Sequence, residues 1–448
     1  MIIKFKNLGP IESGEINFND LKGINLIIGK NNTGKTYLSN LLYTYFKVRE
    51  RQDLKMKEVF DINFKKELSN LDYETIKHYF EKKYENEIKN ILPQIFHTSK
   101  DIFKDFEIEV DLSDEILEFK KLDDYTIICF REMKKTIKLK KMQNKIEYIM
   151  EDYDENKGKR YTTYKAKIQE EDAKQFIFGY FLHIKFFQKI YKFHSFPAER
   201  SGAVLFYKQL LEERSDVLRE LELGNSENIG KISRYSEPVN DYVKFLNSIS
   251  DRSKGLTELD IYKKLNTELK EILDGEVIID SESNIMFKID ANQIIDLGMV
   301  SSTVKTLTGF YLYLKYLAME RDIIFIDEIE LNLHPENQRK IMKLINYLSK
   351  QGIKFIISTH SPIITEEIDN MLLFEKVKDK INSEEMKEYG INSEYGLKTS
   401  DINVFHLHNK TVEKIKEKNG EFEIETFNTV LEETDNLYQT LLFYAEGK

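Results

Sequence analysis

The stretch IIGKNNTGKT, residues 27–36, runs from apolar residues into a glycine loop that closes on lysine and threonine. Its last eight residues, Gly29-Lys30-Asn31-Asn32-Thr33-Gly34-Lys35-Thr36, fit G-x-x-x-x-G-K-[ST]. Ile24 to Ile28 is a short β-branched run, as suits a buried parallel strand. Beyond the loop, Leu38, Leu41, Leu42 and Tyr45 recur at helical spacing. A glycine loop between a strand and a helix N-terminus turns backbone amides inward as a cradle for phosphate oxygens, and the helix dipole adds to the attraction. Lys35 is expected to reach the β- and γ-phosphates and the Thr36 hydroxyl to ligate Mg²⁺. Gly29, Asn31, Asn32, Thr33, Gly34 and Tyr37 complete the candidate nucleotide-binding residues.

Three stretches further on have the chemistry that such a loop needs. Ile323 to Ile326 is a wholly apolar strand followed by Asp327 and Glu328. A carboxylate at the end of a buried strand can hold Mg²⁺, the role expected of Asp327. Glu328 is placed to polarise an attacking water as a general base. ELNLHPENQ follows, with Pro335 suited to the first turn of a helix whose apolar positions are Ile341, Leu344, Ile345 and Leu348. Phe355 to Thr359 gives another short strand, ending at His360, a candidate partner of the γ-phosphate. Ahead of all these, LGMVSSTVKTLTGFYLYLKYLA begins at Leu297, and Val304, Leu307, Tyr311, Leu314 and Ala318 mark one helical face. Ser301 and Ser302 stand at its start, either as plain caps or as hydroxyls offered to a neighbouring subunit's γ-phosphate.

In their order, these motifs resemble the ABC-type ATPase heads of the OLD, RecF and SMC group. GKNNTGKT is similar to that group's G-x-N-x-x-G-K loop. DEIELNLHPENQ is similar to its DEPExxLHP stretch, with Ile329 where proline is usual, and SSTVKTL stands in place of the LSGGQ-like signature. SFPAERSG, Ser195 to Gly202, resembles a segment of defence-associated members, and Arg200 there is either near the nucleotide or in a structural salt bridge. The motifs cover residues 1–50 and 297–365. The resemblance implies an α/β P-loop NTPase of ABC-ATPase type. Its mixed or parallel sheet is flanked by helices, with an N-terminal antiparallel part and an inserted α+β lid or docking domain. It implies ATP and Mg²⁺ as ligands, ATPase activity, and an ATP-bound homodimer in which each loop is closed by the partner's serine-led helix, with higher oligomers open.

The 448 residues suffice for two or three domains' worth of core, and 41% hydrophobic with 32% charged residues suits a globular chain. A net charge of −10 restricts any nucleic-acid contact to a local patch. The single cysteine, Cys129, sits in apolar YTIICF and reads as an inert core thiol. The N-terminus lacks a signal-peptide pattern. FIFGYFLHIKFF, from Phe176, is too short and too interrupted by lysine for a membrane span, so no membrane association and a cytoplasmic location are expected.

Residues 1–50 read as one lobe of the ATPase head, 51–275 as an insert, 276–375 as the second lobe and 376–448 as a C-terminal α/β extension. Within the insert, about 103 to 168 alternates as a strand meander and 170 to 275 returns to helix. No sustained heptad supports a coiled-coil arm. The basic run Arg131, Lys134, Lys135, Lys138, Lys140, Lys141 and Lys145 reads as a lysine-protected edge strand, with a nucleic-acid or protein contact as alternatives. His406 and His408 share a strand face but make a poor metal site alone. No D-x-D follows residue 360, which argues against a nuclease centre in cis; Asp152 and Asp154 form one in the wrong order.

By resemblance, the leading function is the ATPase subunit of a bacterial anti-phage system, similar to those of the Septu, PARIS and retron groups, controlling a separate nuclease or toxin effector. The alternatives are a RecF/SMC-like DNA-binding repair ATPase and an ATP-binding scaffold without turnover.

Overall fold

The computed structural model of the chain describes residues 2–50, 73–111, 117–122, 125–130, 135–142, 145–154, 159–169, 192–222, 235–250, 268–418, 422, 436–442 and 444. Seventeen strands among them form three sheets. The strands of the nine-stranded sheet are β1 (Ile2–Leu8), β2 (Ile11–Asn17), β3 (Ile24–Ile28), β4 (Glu107–Asp111), β10 (Phe193–Phe196), β14 (Ile323–Ile326), β15 (Lys354–Thr359), β16 (Ile402–His408) and β17 (Thr411–Ile415). Their order is β10-β14-β15-β3-β16-β17-β2-β1-β4. The first five run parallel. Beyond them β17 turns back antiparallel on β16, and β1 pairs antiparallel with both β2 and β4. This is the α/β fold that the sequence implied: a largely parallel sheet between helices with an antiparallel N-terminal part.

The parallel strands are mainly apolar because both faces are covered, with β14 wholly so and Asn25, His194, Ser195, Asn403 and His406 among the polar exceptions. Their alternation divides the core in two. Ile24, Leu26, Ile28, Ile324, Ile326, Phe355 and Ile357 point into one buried cluster. Ile27, Ile323, Phe325 and Ile356 point into the other. Helix α1 (Lys35–Glu50) covers the second face with Leu38, Leu41, Leu42 and Tyr45. Among the helices, α2 (Tyr73–Ile95) adds Ile88, Ile91 and Leu92 to that side. The first face is covered by α3 (Arg200–Glu222), α4 (Glu237–Ser250), α5 (Ser302–Tyr316), α6 (Pro335–Lys350) and α7 (Pro362–Val377). The expected apolar positions of α5 and α6 are all buried, although α5 ends before Ala318. Helix α6 starts as its residues dictate: the His334 side chain caps it, accepting from Glu336 N–H, and Pro335 needs no donor there.

The meander is a separate antiparallel sheet of β5 (Leu117–Leu122), β6 (Tyr125–Phe130), β7 (Lys135–Lys141), β8 (Ile146–Asp154) and β9 (Lys159–Ile168). Lys138 stands beside Glu151 in an ion pair at 2.7 Å. Strand β7 lies inside this sheet, between β6 and β8, so the expected lysine-protected edge is corrected to an interior strand. Arg131 and Lys134, the segment from Phe176 to Phe187 and the first four residues of ENKGK, whose composition at 155–159 predicts a turn, fall outside the described residues. A third, small sheet joins β11 (Glu276–Ile279), β12 (Ile285–Lys288) and β13 (Ile294–Asp296) just ahead of α5.

Two strands depart from the expected organisation. FEIEVDL, expected to open the meander, supplies β4, which pairs with β1 in the large sheet. Within the stretch expected to be helical, Phe193 to Phe196 forms β10, parallel to β14. The large sheet therefore draws two strands from the range 51–275 and two more, β16 and β17, from 376–448, where β16 lies directly beside β3. Among the described residues no helix is long and apolar enough to cross a membrane.

Candidate functional site

The carboxyl ends of β14, β15 and β3 meet at one edge, where open parallel sheets place their ligands. Here β3 hands the chain to the glycine loop. Gly34 has φ +103°, and a Cβ on it would sit 2.7 Å from Ile11 Cγ1 and 3.0 Å from Pro10 Cγ. Backbone sign and space both call for glycine at that point. Asn32, at φ 64°, takes the left-handed turn that asparagine tolerates. Thr33 Oγ1 donates to Lys30 O at 2.8 Å and closes the loop on itself. Lys35 starts α1 and is 7% exposed, its Nζ donating to Gly29 O and Lys30 O, both at 2.9 Å. The ammonium thus lies in the concavity of the loop. Burial pushes its pKa down, against the opposing pull of Glu328, Glu330 and Asp327.

Asp327 stands opposite. The Thr36 hydroxyl is 3.4 Å from Asp327 Oδ2, across 291 positions of sequence. The Ser358 hydroxyl donates to the other carboxylate oxygen of Asp327, Oδ1. Ser358 Oγ in turn accepts from Glu328 N–H at 2.9 Å. Glu328 holds a left-handed backbone, φ 48°, which costs a non-glycine residue on the order of 1–3 kcal/mol. A hydroxyl and a carboxylate are the hard oxygen donors that Mg²⁺ prefers, so Thr36 and Asp327 fit that ion.

Glu330 organises the end of β15. Its Oε1 accepts from His360 N–H at 2.7 Å and its Oε2 from Thr359 Oγ1 at 2.7 Å. His360 Nδ1 also lies 3.0 Å from Glu330 Oε1, outside hydrogen-bonding geometry, and the ring is 40% exposed. Arg200 stands against the Asp327–Glu328 turn. It is 3% exposed, and among the described residues its guanidinium hydrogen-bonds to no carboxylate, so the salt-bridge reading of its motif does not hold. It donates to three backbone carbonyls: Pro197 O at 3.0 Å, Asp327 O at 2.5 Å and Glu328 O at 2.7 Å.

Ser301 and Ser302 are exposed at the tip of α5. Ser301 is the N-cap, its Oγ accepting from Val304 N–H at 3.3 Å. Among the described residues no hydrogen bond joins either serine to the phosphate loop. The turn after β14 does reach this helix: Thr303 Oγ1 donates to Asn332 O at 2.7 Å, and Asn332 Nδ2 to Thr306 Oγ1 at 3.0 Å. Tyr37 packs its ring on Phe96, centroids 4.8 Å apart, and against Gly9. His406 and His408 stack at 5.4 Å, and among the described residues no group of three or more His, Cys, Asp or Glu could hold a metal ion. A surface cleft of about 480 Å³ lies between β1, β2, β4 and β17; none of the loop residues lines it.

Sequence reasoning passes over Ser358 and Glu330, although both stand inside the motifs. The available signal is a small polar residue and an acid at the carboxyl ends of buried parallel strands.

A family model described as an AAA ATPase domain matches residues 1–365. No curated protein matches the sequence. Among solved structures, an SMC head bound to the C-winged helix domain of ScpA is 9% identical with a TM-score of 0.33, over 93% of this chain and 97% of that one. An SMC head domain from Thermotoga maritima is 11% identical with a TM-score of 0.28, over 93% and 98% of the two chains. An SMC head with an extended coiled coil, bound to the C-terminal domain of ScpA derived from Pyrococcus furiosus, is 11% identical with a TM-score of 0.31, over 97% and 98%.

Proposed function

The chain belongs to the AAA ATPase domain family, whose model matches residues 1–365, and on that premise we propose that it binds and hydrolyses ATP as a switch that dimerises on the nucleotide. The observation that carries this reading is the meeting of Thr36 with Asp327, beside Lys35 and one residue from Glu328. The loop amides and Lys35 take the β- and γ-phosphates. Thr36 and Asp327 hold Mg²⁺, which when bound neutralises charge developing on the phosphate oxygens. Glu328 accepts a proton from water as the water oxygen attacks the γ-phosphorus, and the bond to the β–γ bridging oxygen breaks to release ADP. His360, whose backbone N–H is held by Glu330, is the expected partner of the γ-phosphate.

By the resemblance, Ser301 or Ser302, exposed at the tip of α5, closes the phosphate cradle of a second copy in a two-fold homodimer. Opening after hydrolysis is then the output. Control of a separate nuclease or toxin effector in anti-phage defence rests on the resemblance of the GKNNTGKT, SFPAERSG and LHP motifs.

The test is Glu328→Gln with Lys35→Ala as its control. Glu328→Gln is expected to bind ATP, to lose turnover by at least about a hundredfold and to elute as a dimer with ATP and Mg²⁺. Lys35→Ala is expected to lose ATP binding in calorimetry. A Glu328→Gln protein that stays monomeric under saturating ATP and Mg²⁺ counts against the sandwich; wild-type affinity in Lys35→Ala counts against the cradle.

A further inference from the structure

Strand β14 lies between β10 and β15, and the turn that follows it receives one side chain from β15 and one from α3, the helix after β10. From the β15 side, Ser358 Oγ takes the N–H of Glu328 at 2.9 Å and donates to Asp327 Oδ1. From the β10 side, Arg200, first residue of α3, takes the carbonyls of Asp327 and Glu328 at 2.5 and 2.7 Å. A third bond, to Pro197 O at 3.0 Å, anchors the guanidinium to its own chain just after β10. The peptide before Glu328 is therefore held from both sides, by Ser358 on its N–H and by Arg200 on its carbonyl, and the peptide after it is held by Arg200, while the Glu328 backbone stays left-handed.

Such a backbone persists only where its surroundings over-determine it. A guanidinium can do so because it is planar and permanently charged, with five donors in a fixed fork. Buried charge is costly unless it is hydrogen-bonded, and here three bonds go to neutral carbonyls rather than to a carboxylate. That leaves both the Asp327 and the Glu328 carboxylates unpaired with Arg200 and available to the site.

We propose that Arg200 is a positioning residue for hydrolysis: its fork fixes the peptides of Asp327 and Glu328, and so aims the Glu328 carboxylate at the attacking water. The inference rests on the ATPase reading above. It assigns Arg200 no contact with nucleotide, so its effect appears in turnover and not in affinity.

The experiment is a double-mutant cycle in the full chain between Arg200→Lys and Glu328→Gln. Lysine keeps the charge but offers a single point donor group in place of the fork. Arg200→Lys alone is expected to lower kcat by roughly 30- to 100-fold, the scale set by an ångström of misplacement. Its ATP affinity by calorimetry is expected to stay within about threefold of wild type, because the loop is untouched. Added to Glu328→Gln, the same change is expected to lower residual turnover by less than about threefold, since it acts through the group already removed. Costs that multiply across the cycle, or an Arg200→Lys kcat within about threefold of wild type, overturn the proposal. If Arg200→Lys fails to fold, Arg200→Gln, which keeps two amide donors, goes through the same cycle. Wild-type turnover itself decides the ATPase reading; the ratio of Arg200→Lys to wild type decides this one.

Discussion

One four-residue strand, β14, is flanked by an aspartate at each end, and the two have opposite fates. Asp322, at the entering end, is 3% exposed and accepts from the Tyr313 hydroxyl at 2.8 Å and from Met319 N–H at 3.0 Å. Burial pushes its pKa up, from the usual 3.8 to about 6. Asp327, at the leaving end, accepts from the Ser358 and Thr36 hydroxyls at the mouth of the phosphate loop. The residue type is the same and the strand is the same; the difference is which end of a parallel sheet the carboxylate occupies. At the entering end, the core closes over it. At the leaving end, loops part and keep lone pairs free for a ligand.

The hardest test of that contrast is Asp327→Asn. The amide keeps the shape of the carboxylate and loses the charge that holds a divalent ion. Turnover is expected to fall by about a hundredfold or more, while the urea midpoint without nucleotide moves little. An Asp327→Asn protein with near-wild-type turnover would put both aspartates in the same structural class.

The same change at the other end is expected to act only on stability, and in a pH-dependent direction. A carboxyl whose folded pKa is raised binds its proton more tightly in the folded state. Its contribution to stability is therefore full below about pH 4 and is lost as pH rises through about 6. Above that, the buried carboxylate costs on the order of 2–3 kcal/mol. Asp322→Asn is neutral at every pH, so it is expected to be more stable than wild type by roughly 2 kcal/mol at about pH 8 and by much less at about pH 5. Urea titrations at the two pH values check this, and turnover is expected to be unchanged.

Much of the leaving end is legible in the sequence, and the reason is geometric. Parallel strands buried on both faces are written as mainly apolar runs, and the apolar stretches of INLII, IIFI and KFIIST stand out against 32% charge. A glycine-lysine-threonine loop after the first run, and Asp327 with Glu328 after the second, then fix where the chemistry goes. The entering end is not legible. Asp322 follows Arg321 in a polar turn, and nothing local reports that Tyr313, one helix away, closes over it. Strand β10 escapes notice for a related cause: FHSF is short, and its His194 and Ser195 break the apolar pattern. His194 is accommodated because burial drives its pKa down to about 4, which keeps the ring neutral against Tyr313 at 4.8 Å. Arg200 reads from sequence as a nucleotide neighbour or a salt-bridge partner because sequence shows which residues are cationic. It does not show that the acceptors are backbone carbonyls 127 and 128 positions away.

The finest distinction falls on Tyr313→Phe. The ring is fully buried and packs against His194 and Phe196, so phenylalanine fills the same space. Only the hydroxyl goes, leaving Asp322 with the Met319 N–H donor at 3.0 Å. A charged acceptor loses more than a neutral one when a donor is removed. The cost is therefore expected to be about 1 kcal/mol at about pH 8, where the carboxylate is ionised, and smaller at about pH 5, where the proton is already on. Tyr313→Phe steepens the dependence that Asp322→Asn flattens, and the two variants move in opposite directions from one wild-type curve. If both flatten it, the titrating group is not Asp322. If Tyr313→Phe lowers turnover as well, the two ends of β14 are coupled through the strand, and the separation between a closed end and a working end does not hold.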